Sequence, residues 1–386
     1  MLNAARTFRL SAKHDVVLFD RLPASQRERL AALRRDPEFF GVVMSREGVS
    51  PSTMIAASRD VALLLFALRD PGPLPDYIVD AHNPDIERTI DKLILDGVLE
   101  VATDGGEFVS GPAALAATQS DDTGGRIAKL SREAAAYAAS LNSRDRFDIE
   151  ARLYRHNRVA VTPVWSTRIP TPGALREFLG LDRGATAALL NRRWESLPAG
   201  ESDAWFQWVS RDGDDIKASE RDVNYKLYVS PLLADLPAVF ATVVSVLAEA
   251  RVTAFKVGGT AHDVARPDKI VAYFRTQERA LECGALLCTA LDGARVQGVP
   301  FSAELGADGL VSWGVDPAEI PGRPPQSSWR RWVCRRLAHY IDAAAMNPPS
   351  HVEGWRFAFE RLRLDGVNTT TWEPSVSMMA TGGMSA

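Results

Sequence analysis

The chain has 386 residues, 45 Lys and Arg against 49 Asp and Glu, and a formal net charge of −4. That balance excludes bulk electrostatic attraction to nucleic acid or to an anionic membrane, so any anion site must be built locally. The length allows two or three domains, and no run reaches the ~18 apolar residues of a membrane span.

The first residues, MLNAARTFRLSAKHDVVLF, lack the apolar stretch of a secretory signal, and the expected location is the cytoplasm. Cys283, Cys288 and Cys334 show no metal-ligand spacing, and all three fall in stretches that read as helix, as reduced buried thiols would. The six histidines are too scattered to propose a metal site, so no metal is expected.

Residues 20–110 read as helices followed by a hairpin. Leu22 to Arg34 has the pattern of a polar-faced helix, and Val61 to Leu68 that of a buried helix stopped at Asp70-Pro71. Ile86 to Leu95 places Ile86, Ile90, Leu93 and Ile94 on one helical face. Val98 to Val101 and Glu107 to Val109 then alternate as strands around Asp104-Gly105-Gly106. Helix, helix, hairpin is the order of a winged helix, a fold used for DNA and also for leader-peptide recognition. The second helix carries two basic residues against four acidic ones, which favours packing or peptide docking over DNA.

Residues 1–118 are therefore expected to form a winged-helix-like domain, 119–149 a linker and helix, 150–372 a second domain, and 373–386 a disordered tail. Gln119 to Arg126 is polar and contains glycine, and the Ala-rich segment from Ile127 is a good helix by propensity. From Tyr225 the pattern is α+β: strands at Tyr225–Val229, Thr253–Val257, Lys269–Phe274, Val299–Glu304 and Leu310–Trp313, and helices at 233–247, 277–291 and 329–341. The expected fold is thus a mixed or antiparallel sheet with flanking helices. Phosphate-loop and dinucleotide-loop glycine patterns are absent; Gly258-Gly259-Thr260 follows a strand without the required spacing.

The succession Lys226-Leu-Tyr-Val, Phe255-Lys-Val, Arg266-Pro-Asp-Lys-Ile-Val-Ala-Tyr, Val299-Pro-Phe, Leu310-Val-Ser-Trp-Gly and Ser328-Trp-Arg resembles the HopA family of type III effectors. Relatives of that family serve as lyases in the biosynthesis of ribosomal peptides such as class V lanthipeptides and thioamitides. The order of the two lysine strands also resembles, more distantly, the phosphothreonine lyase effectors. The likeness covers about a third of the chain and rests on order and spacing.

The resemblance implies elimination of phosphate from phosphoserine or phosphothreonine in a precursor peptide, with a kinase-like partner supplying the phosphate and no cofactor. Lys256 matches the base position, and Tyr228 stands where the distant lyases have a histidine acid. Lys226, Arg266, Lys269, Tyr273, Arg330 and Arg331 are the candidates for holding phosphate or stabilising the developing charge. The chemistry is consistent with those residue types: a lysine abstracts a Cα proton only when burial and neighbouring cations pull its pKa far down, and arginine forks suit phosphate. On its own a lysine on a strand is more often a solvated outer-face residue. A catalytically dead peptide-binding scaffold and an effector-like phosphoprotein-binding module are the alternatives.

Overall fold

The computed structural model describes residues 6–48, 54–79, 84–103, 105–115, 124–141, 143, 145–198, 204–211, 225–306, 308–317, 328–346 and 353–375. The expected linker at 119–123 and all but the first three residues of the expected tail lie outside these residues. The chain divides into two compact units: residues 1–120 with 343–364, and 121–342 with 365–386. The helix Gly354–Leu364 therefore belongs to the first unit, where the sequence placed it in the second. Its buried face carries Phe357, Ala358 and Leu362, and Arg361 pairs with Asp96 at 2.6 Å.

Among the described residues the first unit contains six strands. β1 (Phe8–Leu10), β5 (Leu99–Ala102) and β6 (Phe108–Val109) form one sheet in the order β1-β5-β6. β2 (His14–Leu18), β3 (Phe39–Ser45) and β4 (Met54–Ser58) form another in chain order. Helices Arg59–Ala67 and Pro84–Leu95 lie where the periodicity places them, and Ser58 caps the first by accepting from Val61 N. The predicted polar-faced helix at 22–34 breaks into a short α-helix, Ala24–Arg29, and a 3-10 turn, Ala31–Arg35. None of the residues in these two short helices is buried, so tertiary packing does not extend them. The β2-β3-β4 sheet was not foreseen. The core of this unit joins Phe8, Leu64, Leu65, Ile90, Leu93, Ile94 and Leu99.

The second unit is built on a seven-stranded sheet. Its strands are β7 (Trp194–Ser196), β8 (Trp205–Ser210), β9 (Tyr225–Val229), β10 (Ala254–Gly258), β11 (Ile270–Phe274), β12 (Ala303–Leu305) and β13 (Val311–Val315). Their order is β12-β13-β9-β11-β10-β8-β7, with every neighbouring pair antiparallel. The α+β class read from the sequence and the antiparallel option within it are both present.

Strand alternation sorts this sheet into two faces. Leu227 and Val229, Phe255 and Val257, and Ile270, Ala272 and Phe274 join one core with the helices Leu236–Glu249 and Gln277–Ala290. In the first of those helices the buried positions Leu236, Val239, Phe240, Val243, Val244 and Leu247 follow the i, i+3, i+4 spacing of a single stripe. The intervening residues Lys226, Tyr228, Lys256, Val271 and Tyr273 face the other way. Burial of one face thus fixes the register that gathers the polar side chains on the other.

Candidate active site

The register sets the site. Across β8, β10, β11, β9 and β13, the residues Gln207, Lys256, Val271, Tyr228 and Ser312 are successive cross-strand partners. One row along, Tyr273 opposes Lys226, and Lys226 opposes Gly314. At ~4.8 Å per strand, Lys256 and Tyr228 stand on backbones ~10 Å apart, within reach of one small substrate.

Aromatic rings floor the two lysines. The Lys256 ammonium lies 4.1 Å from the centroid of Trp205 and 5.7 Å from that of Tyr273. The Lys226 ammonium lies 5.6 Å from the same Tyr273 ring. Two cations sharing one ring are close enough to repel. Burial, then the Lys226 charge and less strongly that of Arg266, together pull the Lys256 pKa down to about 8 against the opposing pulls of Asp268 and Asp316. At neutral pH roughly a tenth of Lys256 is then the free amine, against roughly one in three thousand for an ordinary lysine.

Arg266 completes the cluster. Its guanidinium lies 4.9 Å from the Trp205 centroid, on the ring that Lys256 also touches. The loop that presents it is tightly held. A Cβ on Gly258 would come within 2.6 Å of the Asp263 carbonyl carbon and 2.7 Å of Val264 N, so only glycine lets the turn fold back on β10. Thr260 caps the turn by accepting from Asp263 N, and Ser230 Oγ donates to Pro267 O at 2.6 Å. Gly258-Gly259-Thr260 is thus a packing device that aims Arg266.

Behind the cations sits a buried carboxylate. Asp268, 5 % exposed, accepts from Arg266 Nε and Nη2 at 3.0 Å each and from the Tyr154 hydroxyl at 3.1 Å. Arg330 Nη1 approaches it to 2.8 Å as an ion pair without hydrogen-bond alignment. Burial alone would raise the Asp268 pKa, but Arg330 and Arg266 outweigh it and hold the carboxyl well below the usual range. Burial and Asp268 push the Tyr154 hydroxyl up to about 12, so it stays protonated.

The structure separates the remaining candidates from this cluster. Arg330, expected to hold phosphate, is only 1 % exposed; it donates to Pro300 O at 3.1 Å and Tyr154 O at 3.2 Å, bracing the segment behind Asp268. Lys269 is 0 % exposed and donates to Pro231 O at 2.6 Å and to Gln297 Oε1, so its ammonium is spent inside the protein rather than on substrate. Arg331 is exposed and pairs with Glu150 at 3.1 Å, at the rim of a neighbouring cleft. Tyr273 is a ring under the lysines, its hydroxyl pKa raised by burial and by Asp316.

Tyr228 packs with Val271, Val299 and Tyr273, and burial followed by Asp316 lifts its pKa well above 10. It can donate a hydrogen bond but is a poor proton donor. Sequence reasoning missed Asp316, whose carboxylate pairs with Lys226 and accepts from Trp329 N at 2.9 Å. It also missed Tyr154 and Trp205. The signal for Trp205 was present in the aromatic alternation of AWFQWVS; Tyr154 lies on the helix Arg146–Arg155, which no motif marked.

Among the described residues no group of three or more His, Cys, Asp or Glu side chains could hold a metal ion, and no helix is long and apolar enough to cross a membrane. No protein-family model and no curated protein matches the chain. Among solved structures, the chain is distantly similar to an effector protein from Pseudomonas syringae pv. syringae strain 61. The identity is 15 %, the TM-score 0.40, and the match covers 65 % of this chain and 99 % of that one. A second effector, from Pseudomonas syringae pv. tomato strain DC3000, matches at 14 % identity and a TM-score of 0.40 over the same shares. The type III effector and phosphothreonine lyase OspF from Shigella flexneri matches at 11 % identity and a TM-score of 0.28, over 35 % of this chain and 77 % of its own.

Proposed function

We propose that the chain is a carbon–oxygen lyase that eliminates phosphate from phosphoserine or phosphothreonine in a precursor peptide, leaving dehydroalanine or dehydrobutyrine. The observation that carries this reading is Lys256, held near pKa 8 beside Lys226 and Arg266 over a shared aromatic floor. Lys256 takes the Cα proton, the Cα electron pair forms the double bond to Cβ, and the Cβ–O bond breaks with its pair leaving on phosphate. Lys226 and Arg266 neutralise the phosphate and the charge developing on the peptide carbonyl. Because Tyr228 is a weak acid, the leaving group depends on these cations rather than on proton donation. The first unit, with its helix-helix-hairpin order, would dock the peptide, and a kinase-like partner would supply the phosphate.

Incubation with a phosphoserine peptide tests this by product mass: loss of phosphoric acid with no water regained is expected. Gain of water relative to that product indicates a phosphatase. The second reading, a scaffold that binds phosphopeptide without turnover, is favoured by one observation: Asp316 already occupies the Lys226 ammonium. Intact phosphopeptide that remains bound would select it.

A further inference from the structure

Beside Arg266 the second unit carries a cleft of about 420 Å³ whose lining includes Phe147, Glu150, Arg155, Arg158, Arg266 and Arg331. The lining holds four arginines and one carboxylate; Arg266 is already paired with Asp268 behind it, and Glu150 is shared between Arg331 at 3.1 Å and Arg335 at 3.5 Å, which leaves Arg155 and Arg158 as the surplus. Among the described residues neither Arg155 nor Arg158 pairs with a carboxylate. Arg158 donates to His262 O at 2.8 Å, which fixes the guanidinium without neutralising it. Its pKa is lowered by burial and then by the charge of Arg266, with a smaller push in the same direction from Arg155, against the opposing pulls of Asp263 and Asp268. The cleft therefore holds a surplus of positive charge in a concave site, where field lines concentrate.

An aromatic ring stands at the same place. Phe147, on the helix Arg146–Arg155, is 83 % exposed, although burying such a ring is normally favourable. Inorganic phosphate has no use for a bare phenyl ring; a peptide with mixed side chains has. Arg266 belongs both to this cleft and to the lysine cluster, since it lies over the Trp205 ring that Lys256 contacts.

We infer that this cleft binds a second anionic side chain of the same peptide, so that the preferred substrate is acidic or phosphorylated next to the reacting residue. The inference rests on the proposed entry of a phosphopeptide at Lys256. An extended chain advances ~3.3 Å per residue, which places the second anion about two to four residues from the reacting one. Arg155 and Arg158 would bind it as forked donors, with Phe147 covering an apolar neighbour.

Fluorescence anisotropy with labelled phosphoserine peptides tests this without requiring turnover. Each peptide carries Ala, Glu or a second phosphoserine, moved through the four positions on either side of the target. The full-length chain is expected to bind the best Glu or phosphoserine peptide at least about tenfold more tightly than the Ala peptide at low salt, about 1.4 kcal/mol. In the double variant Arg155→Ala, Arg158→Ala, both at exposed positions, that ratio should fall to within about twofold. The order of the Glu and phosphoserine peptides tells whether carboxylate or phosphate is the natural ligand. Equal affinities in the unsubstituted chain, or a ratio that survives the double substitution, overturn the inference. A preference without elimination leaves the cleft assignment standing and removes the lyase reading; elimination without preference does the reverse.

Discussion

Lys256 and Lys269 lie thirteen positions apart in sequence, the first on β10 opposite Val271 and the second just before β11 opposite Gly258, and both have depressed pKa values, about 8 and about 7. For both, burial is the largest cause. What separates them is what the amine meets. Lys269 ends on two acceptors, Pro231 O and Gln297 Oε1, which use its protons as structure. Lys256 ends over two aromatic rings beside other cations, with no hydrogen-bonded acceptor among the described residues. A lowered pKa is thus a condition for a base and not a sufficient one; the group must also be free to reach a proton outside the protein.

The largest expected effect falls on Lys256. Lys256→Ala should cut the elimination rate by about a thousandfold or more while phosphopeptide affinity, read by anisotropy, changes far less. Comparable activity in Lys256→Ala would remove the base assignment. Next comes the support behind the site. Asp268→Asn leaves the buried Arg330 charge without its carboxylate and should cost about 3–5 kcal/mol in denaturant unfolding. A loss under about 1 kcal/mol would show that Arg330 is not held by this pair.

The third effect is a shift of pH dependence. The free amine of Lys256 is the active form, so kcat/KM should rise with pH through about 8 and then level. Lys226→Met removes a like charge that lowers the Lys256 pKa, so the rising limb should move to higher pH; an unmoved or lowered limb contradicts the coupling.

The smallest effect belongs to Lys269. Its folded pKa lies below its unfolded value of 10.5, so the folded state binds fewer protons between about pH 7 and 10.5. Stability should therefore rise with pH across that window, and the penalty on the charged form is complete below about 7. Lys269→Met should flatten this rise and strand two buried acceptors, at about 1–3 kcal/mol by denaturant unfolding. The Lys256 limb of the rate profile should stay in place.

Most strands of the second unit from Tyr225 onward were legible because short apolar alternations there sit between clear helical stripes; the exception is the strand expected at Val299–Glu304, where only Ala303 and Glu304 enter β12. Lys226, Tyr228, Lys256, Arg266 and Tyr273 were legible as a set only through the order of their motifs; antiparallel register brings the four strand residues to one face, and the loop before β11 brings Arg266 to them. Lys269 and Arg330 misled because the sequence displays charge and not burial: in Arg266-Pro-Asp-Lys the aspartate, lysine and neighbouring arginine all read as surface. Asp316 and Tyr154 were invisible for a different reason. Each meets its partner across a long stretch of chain, Asp316 with Lys226 and Tyr154 with Asp268, and no local spacing encodes such pairs. The β2-β3-β4 sheet escaped notice because Phe39–Ser45 (FFGVVMS) is a continuous apolar run without the alternation that marks a strand, and Met54–Ser58 carries only two large apolar residues.

The most direct test of the central claim is the fate of the Cα hydrogen. With a phosphoserine peptide deuterated at Cα, elimination by Lys256 must release the deuteron with the phosphate, one for one, and give the unsaturated product with no deuterium. Phosphate released while the deuterium stays on Cα would show hydrolysis at phosphorus and contradict the lyase account.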